Sequence, residues 1–215
     1  MPRLFALAAC VVCLSVSSRA VQMTLDDRAI TDAISIGQSR IDREHTRFHQ
    51  PYRLIVRQLP VDWIDVITPF HRIVLAAEAR ARAGNRLFAQ REAFAALNEA
   101  PGQITMLIEL TFHPLNNFVG VPDYDVSLIG AQGDRVRAER LDRYPRSQPR
   151  VETPTPELPI TGGAPVLSKG EPVIGGTLVA PFDARRLDPA GRYNVVLSEK
   201  GKELVRVSVD LAGLR

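Results

Sequence analysis

Residues 103–113 read QITMLIELTFH, and the architecture of the chain turns on their period. Ile104, Met106, Ile108, Leu110 and Phe112 alternate with Thr105, Leu107, Glu109, Thr111 and His113, so one side of an extended segment is uniformly apolar and the other mixed. Successive side chains of a strand point to opposite faces, so this period of two predicts a strand with one buried face. Working outward to the C-terminus, the same reading predicts strands over 123–130, 135–142, 172–181, 192–198 and 203–211. In the last of these Val205, Val207, Val209 and Leu211 face one way, and Lys200 with Gly201 supplies the turn of a terminal hairpin.

Toward the N-terminus the period changes to that of a helix. Thr24 and Asp27 are spaced as a capping box, and Leu25, Ile30, Ala33, Ile34, Gly37 and Ile41 recur on one stripe, with Pro51 ending the helix by Gln50. Residues 52–59 and 61–67 are rich in β-branched and aromatic side chains and read as short strands or as a helical extension. Thr68 as cap, Pro69 at the first helical position and the stripe Phe70, Ile73, Val74, Ala77 and Ala81 predict a second helix that stops at Gly84. Asn85 would cap a third over 86–98. The expectation is an α+β fold. A helical layer of two to three helices (21–102) precedes an antiparallel β-sandwich (103–215), which a proline-rich loop interrupts at 145–165.

The segment Leu187, Asp188, Pro189, Ala190, Gly191, Arg192, Tyr193 resembles the tyrosine corner of immunoglobulin-like sandwiches, in which a Tyr opening a late strand turns its hydroxyl to upstream backbone. The resemblance covers seven residues and the following hairpin, lacks the paired cysteines of antibody domains, and implies a fold rather than a chemistry.

Residues 1–20, MPRLFALAACVVCLSVSSRA, read as a signal peptide: a basic Arg3, an apolar run from Leu4 to Val16, and small residues Ser18 and Ala20 before a cut after Ala20. Export to the periplasm or beyond is the expectation; the rival is a lipid anchor at Cys10, with Leu7-Ala8-Ala9-Cys10 resembling a lipobox. Cleavage removes both cysteines and two arginines, so the basic count falls from 27 to 25 against 24 acids. A thiol-free, nearly neutral mature chain excludes disulfides, thiolate metal sites and a cysteine nucleophile, and offers no field for nucleic acid. No transmembrane segment is expected in that mature chain.

There is no GxSxG, HExxH, Walker or dinucleotide-binding motif, and no motif implies a cofactor. His45 and His49 in EHTRFH stand at i and i+4, a spacing that places two imidazoles on one helical face and makes them the candidate metal ligands, with His71 and His113 needed to complete a set. His71, however, shares the polar stripe of its helix with Leu75, Glu78 and Arg82, where solvent exposure is the default. Asp62 with Asp65 and Asp123 with Asp125 read as solvated pairs, and Trp63 as a core residue. The loop 113–124 offers His113, Asn116, Asn117, Phe118 and Asp123 as candidate ligand-binding residues, since it joins two strands and carries diverse polar groups. Six arginines between Arg135 and Arg150 form a stripe, interleaved with acids, that would suit an anionic glycan or lipid head group or else a salt-bridged edge. The leading reading is therefore a non-catalytic binding or interaction module of the envelope or extracellular space, with a protein or glycan partner. The rivals are a metal-dependent or acid-base hydrolase using His45 and His49, and a glycan or lipid head-group binder.

Overall fold

The computed structural model describes residues 21–156 and 171–215. Residues 1–20, over which a signal peptide or a Cys10 lipid anchor is expected, and residues 157–170, which include part of the proline-rich segment, lie outside the described residues. The remainder is α+β with two antiparallel sheets. In chain order the elements are α1 (Asp27–Gly37), α2 (Asp42–His49), β1 (Arg53–Gln58), β2 (Val61–Ile67), α3 (Pro69–Arg82), α4 (Gln90–Asn98), β3 (Gln103–Thr111), β4 (Tyr124–Gly130), β5 (Arg135–Arg137), β6 (Asp142–Arg146), β7 (Gly175–Asp183), β8 (Arg192–Glu199) and β9 (Lys202–Asp210). One sheet runs β1-β2-β3-β7-β6 and the other β5-β4-β8-β9.

The alternation that predicted β3 places Ile104, Met106, Ile108 and Leu110 at 0% exposure in a core shared with Val126 and Leu128 of β4, Val195 and Leu197 of β8, and Val205 of β9. Each such side chain contributes about 1.5–3 kcal/mol by leaving water. The two sheets thus bury their facing sides together. The opposite side of β3 is buried as well: Leu107 packs with Ile67 and Leu75 of α3, and the Arg72 guanidinium donates to the Thr105 hydroxyl at 3.0 Å. Glu109, which alternation put on the polar face, is 2% exposed beneath Arg146 and Arg150. Polar alternation marks one face as different; it does not say that water reaches it.

Several local expectations need correction. The first helix is two: α1 is capped by Asp26, whose carboxylate accepts from the Ala29 N–H at 2.7 Å, and the chain breaks at residues 38–41 before α2. Gly37 lies against α3 so closely that a Cβ there would stand 2.5 Å from the Val74 carbonyl oxygen. Residues 52–67, readable either way, form the β1–β2 hairpin between α2 and α3, and β2 pairs with β3, so strand pairing crosses residue 102. The helix expected over 86–98 begins only at Gln90. The strand expected over 135–142 is two strands in different sheets, because β5 pairs with β4 whereas β6 pairs with β7. Pro145 lies in β6, where an edge position leaves its missing donor without consequence. Gly175 and Gly176 are ladder residues of β7; a Cβ on Gly175 would sit 2.3 Å from the Leu110 carbonyl oxygen.

Other details agree with the sequence. Thr68 caps α3 through a hydroxyl that accepts from the His71 N–H at 3.1 Å, with Pro69 at the first turn. Lys200 and Gly201 both have positive φ (50° and 80°), as a two-residue hairpin turn with right-handed strand twist demands. The Tyr193 hydroxyl accepts from the Asp188 N–H at 2.7 Å, five residues upstream. No helix among the described residues is long and apolar enough to cross a membrane.

Candidate functional site

Three features of sequence converge on one carboxylate. Thr68 and Pro69 start α3 immediately after β2, so His71 in its first turn lies over the end of that strand and its Nδ1 meets the Val66 carbonyl at 3.0 Å. Glu78 follows His71 by seven residues, two turns along the same face. The i, i+4 pair of α2 is turned toward that face, with His49 against His71 and both His45 and His49 against Glu78. The Phe48 and Tyr52 rings enclose His71, the Tyr52 ring at 4.0 Å between centroids.

The distances define a continuous chain. His71 Nε2 lies 2.9 Å from His49 Nδ1, His49 Nε2 lies 2.8 Å from Glu78 Oε2, and His45 Nδ1 lies 2.8 Å from Glu78 Oε1. Arg82 pairs with the same Oε1, and the Thr155 hydroxyl donates to it at 3.0 Å while accepting from Arg82 at 2.7 Å. His49, His71 and Glu78 are all about 1% exposed or less.

Donor and acceptor capacity fixes the protons. A carbonyl oxygen only accepts, so His71 Nδ1 carries hydrogen. Burial, aided by the neighbouring His49, pushes the His71 imidazole down to about 3, so His71 is neutral and its Nε2 accepts from His49 Nδ1–H. Burial opposes the charge on Glu78, but the hydrogen bonds from His49 and His45 and the charge of Arg82 outweigh it and hold the carboxyl at about 2. An ionised Glu78 accepts at both oxygens. The His49–Glu78 bond then needs a hydrogen on His49 Nε2, which makes the buried unit His71, His49 and Glu78 electrically balanced: one imidazolium, one carboxylate and one neutral ring. By the same rule His45 donates from Nδ1, and its Nε2, buried, has no partner among the described residues.

His45 and Glu78 line a cleft of about 610 Å³, with Arg40, Arg82, Arg86 and the Thr153–Thr155 segment around it. The proline-rich stretch thus does more than connect strands. Arg146 and Arg150 bind Glu109, Arg53 donates to the Thr153 carbonyl, and Thr155 reaches Glu78, so residues 146–155 are strapped across the helical side of the larger sheet. Under it Asp65 is held by Arg53 through two bonds (2.7 and 2.9 Å) and by the Trp63 indole N–H at 3.2 Å. Trp63 is buried, as expected of a core residue, and Asp65, expected in solvent, is buried beside it. Asp62 accepts from the Thr111 hydroxyl, while Asp123 and Asp125 are exposed as expected.

Placement of the candidates is uneven. His45 and His49 come together, but what lies between them is a carboxylate, and a metal would have to displace bonds that both rings make to Glu78. Among the described residues no group of three or more His, Cys, Asp or Glu side chains is arranged to hold a metal ion. His71, expected in solvent, is fully buried because α2 covers the polar stripe of α3, and Glu78 with it. His113 is exposed and its ring accepts from the Leu115 N–H at 3.2 Å. Asn116 and Asn117 are exposed, Phe118 packs edge-on against Phe112 at 4.8 Å, and Asp123 receives Arg143 at 2.7 Å. None of these five lines the His45 cleft. Comparison with protein-family models, curated proteins and solved structures gives no match to this chain.

Proposed function

We propose that the protein is an exported binding module whose ligand seat is the His45 cleft, and that the ligand is a small anionic molecule bearing a hydroxyl. The observation that carries this reading is the His45 ring: Nδ1 is fixed to Glu78 while Nε2 is left without a partner in a cleft edged by Arg40 and Arg86. A buried imidazole nitrogen that lacks a donor is satisfied when a ligand hydroxyl reaches it, and the guanidiniums favour a nearby negative group. Export is supported by residues 1–20, and an immunoglobulin-like arrangement of the C-terminal strands by the Tyr193 corner and the antiparallel pairing of β4, β8 and β9.

A second reading, an acid-base hydrolase, draws on the same atoms. A carboxylate that holds Nδ1–H leaves Nε2 as the basic nitrogen, the orientation a general base needs to take a proton from water or a substrate hydroxyl. His45 would be that base, with Glu78 and His49 as positioning residues.

Thermal unfolding of the mature chain with uronic acids, hydroxy acids and neutral sugars tests the binding reading. A ligand at 100 times its Kd stabilises by about 2.7 kcal/mol, which for a chain of this size raises Tm by roughly 5–10 °C. The expected result is a rise with acidic but not neutral compounds that disappears in H45A. No rise with any acid, or one retained in H45A, would place the ligand elsewhere.

A further inference from the structure

As the chain leaves the smaller sheet for the larger, the arginines of residues 135–143 line a second cavity, of about 490 Å³. Alternation in β5 sends Val136 into the shared core and stands Arg135 and Arg137 on the outer side of the sheet, level with Ile129 and Ser127 of β4. Ser127 and Val196, 5% and 1% exposed, belong to the same cavity, which Arg140 and Arg143 also line.

These arginines differ in how well they are satisfied. Arg140 donates to Asp142 at 2.9 Å, and Arg143 donates to Asp123 at 2.7 Å and to the Tyr124 carbonyl at 3.0 Å. Arg143 Nε is nevertheless buried without an acceptor, and the guanidiniums of Arg135 and Arg137 make no hydrogen bond or ion pair among the described residues, although, beside the hydrogen bonds from Arg206, the charge of Arg135 helps hold the Glu203 carboxyl below its usual range. The acids that share the cavity are Asp125, which is exposed, and Glu203, whose two oxygens are both taken by Arg206. Two like charges two residues apart on one strand face repel each other, and a buried N–H without an acceptor is destabilising. Both penalties are relieved by one occupant: a tetrahedral oxyanion, whose several acceptor oxygens match the fork of a guanidinium.

We propose that this cavity is a second binding site, separate from the His45 cleft, for a phosphate group carried by a soluble ester or by a lipid head group. Arg135 and Arg137 supply the charge, and Arg143 Nε–H supplies a donor already held in place by Asp123 and Tyr124.

The test is a titration of the mature chain with inorganic phosphate at constant ionic strength, followed through arginine Nε–H resonances and repeated in R135A/R137A and in H45A. Arg135 and Arg137 are exposed, and an unchanged thermal midpoint would show that the double variant folds. Saturable shifts of Arg143 and Arg137 are expected, with affinity at least tenfold weaker in R135A/R137A and unaltered in H45A, which separates this site from the cleft. Shifts that chloride reproduces, or that survive in R135A/R137A, overturn the proposal. Cosedimentation with phosphatidic acid vesicles, but not phosphatidylcholine vesicles, that is lost in R135A/R137A would assign the phosphate to a lipid. Saturable phosphate binding without cosedimentation would assign it to a soluble ester.

Discussion

Replacing Glu78 by alanine is expected to lower the free energy of unfolding by about 3–5 kcal/mol, the range for breaking a buried ion pair from one side. One substitution removes the acceptor of four donors: His49 at 2.8 Å, His45 at 2.8 Å, Thr155 at 3.0 Å and Arg82. His49 is 1% exposed and has no water to turn to. Glutamine separates hydrogen bonding from charge. Its amide can donate to a bare His49 Nε2 and accept from His45 Nδ1–H, so the chain closes with one proton fewer. E78Q should therefore lose only about 1–2 kcal/mol, near the net worth of one or two hydrogen bonds. Urea unfolding of both variants at neutral pH checks this, and equal losses would mean that the net charge of Glu78 matters more than its role as a bridge.

Acid should unfold the protein through the same unit. The His71 imidazole is held at about 3 in the folded chain against an ordinary 6.5, so between those values the unfolded state binds a proton that the folded state refuses. Stability from this group is complete above pH 6.5 and falls as pH drops toward 3, by on the order of 3–5 kcal/mol. Glu78, held at about 2 rather than 4.5, adds a loss of the same sign below pH 4.5. The groups that face His71 are His49 from α2, Tyr52 after it, the Val66 carbonyl from β2, and Arg72 and Glu78 from α3; none offers a proton on His71 Nε2 a free acceptor, since His49 Nδ1 already donates to it. Urea unfolding at pH 7, 6, 5 and 4 should show stability falling steadily below pH 6.5, with a shallower fall in H71N. A flat profile in the wild type would mean that His71 titrates freely and is not sealed under α2.

How much of this was legible in the sequence depends on the range of the contacts. The α3 helix reads correctly because its signals are local: Thr68 caps it, Pro69 opens it, and the stripe Phe70, Ile73, Val74, Ala77 packs on α1. The Tyr193 hydrogen bond spans five residues and was readable for the same reason. The burial of His71 and Glu78 depends on α2 and on Thr155, 22 and 77 residues away from them along the chain. A polar stripe at helical spacing is the same string of letters whether water or another helix covers it. The usable signal was pairwise: an i, i+4 pair of histidines ahead of a helix whose own polar stripe carries a histidine and a glutamate two turns apart. The pair in EHTRFH suggests a metal only while its partner carboxylate, Glu78, is taken to face solvent. The burial of Glu109 and Asp65 is hidden from a local reading in the same way: Arg146 and Arg150 reach Glu109 from a stretch with no periodicity to read, and Arg53 reaches Asp65 from the neighbouring strand.

The central claim is that Glu78 fixes the His45 ring with hydrogen on Nδ1 and none on the partnerless Nε2. Long-range proton–nitrogen correlation spectra of the imidazoles, recorded at a pH where the His45 ring is neutral, observe this directly. The account predicts a protonated Nδ1 and an unprotonated Nε2 for His45 in the wild type, with that preference lost in E78A. An Nε2–H form in the wild type, or a His45 signal unmoved by E78A, would contradict it.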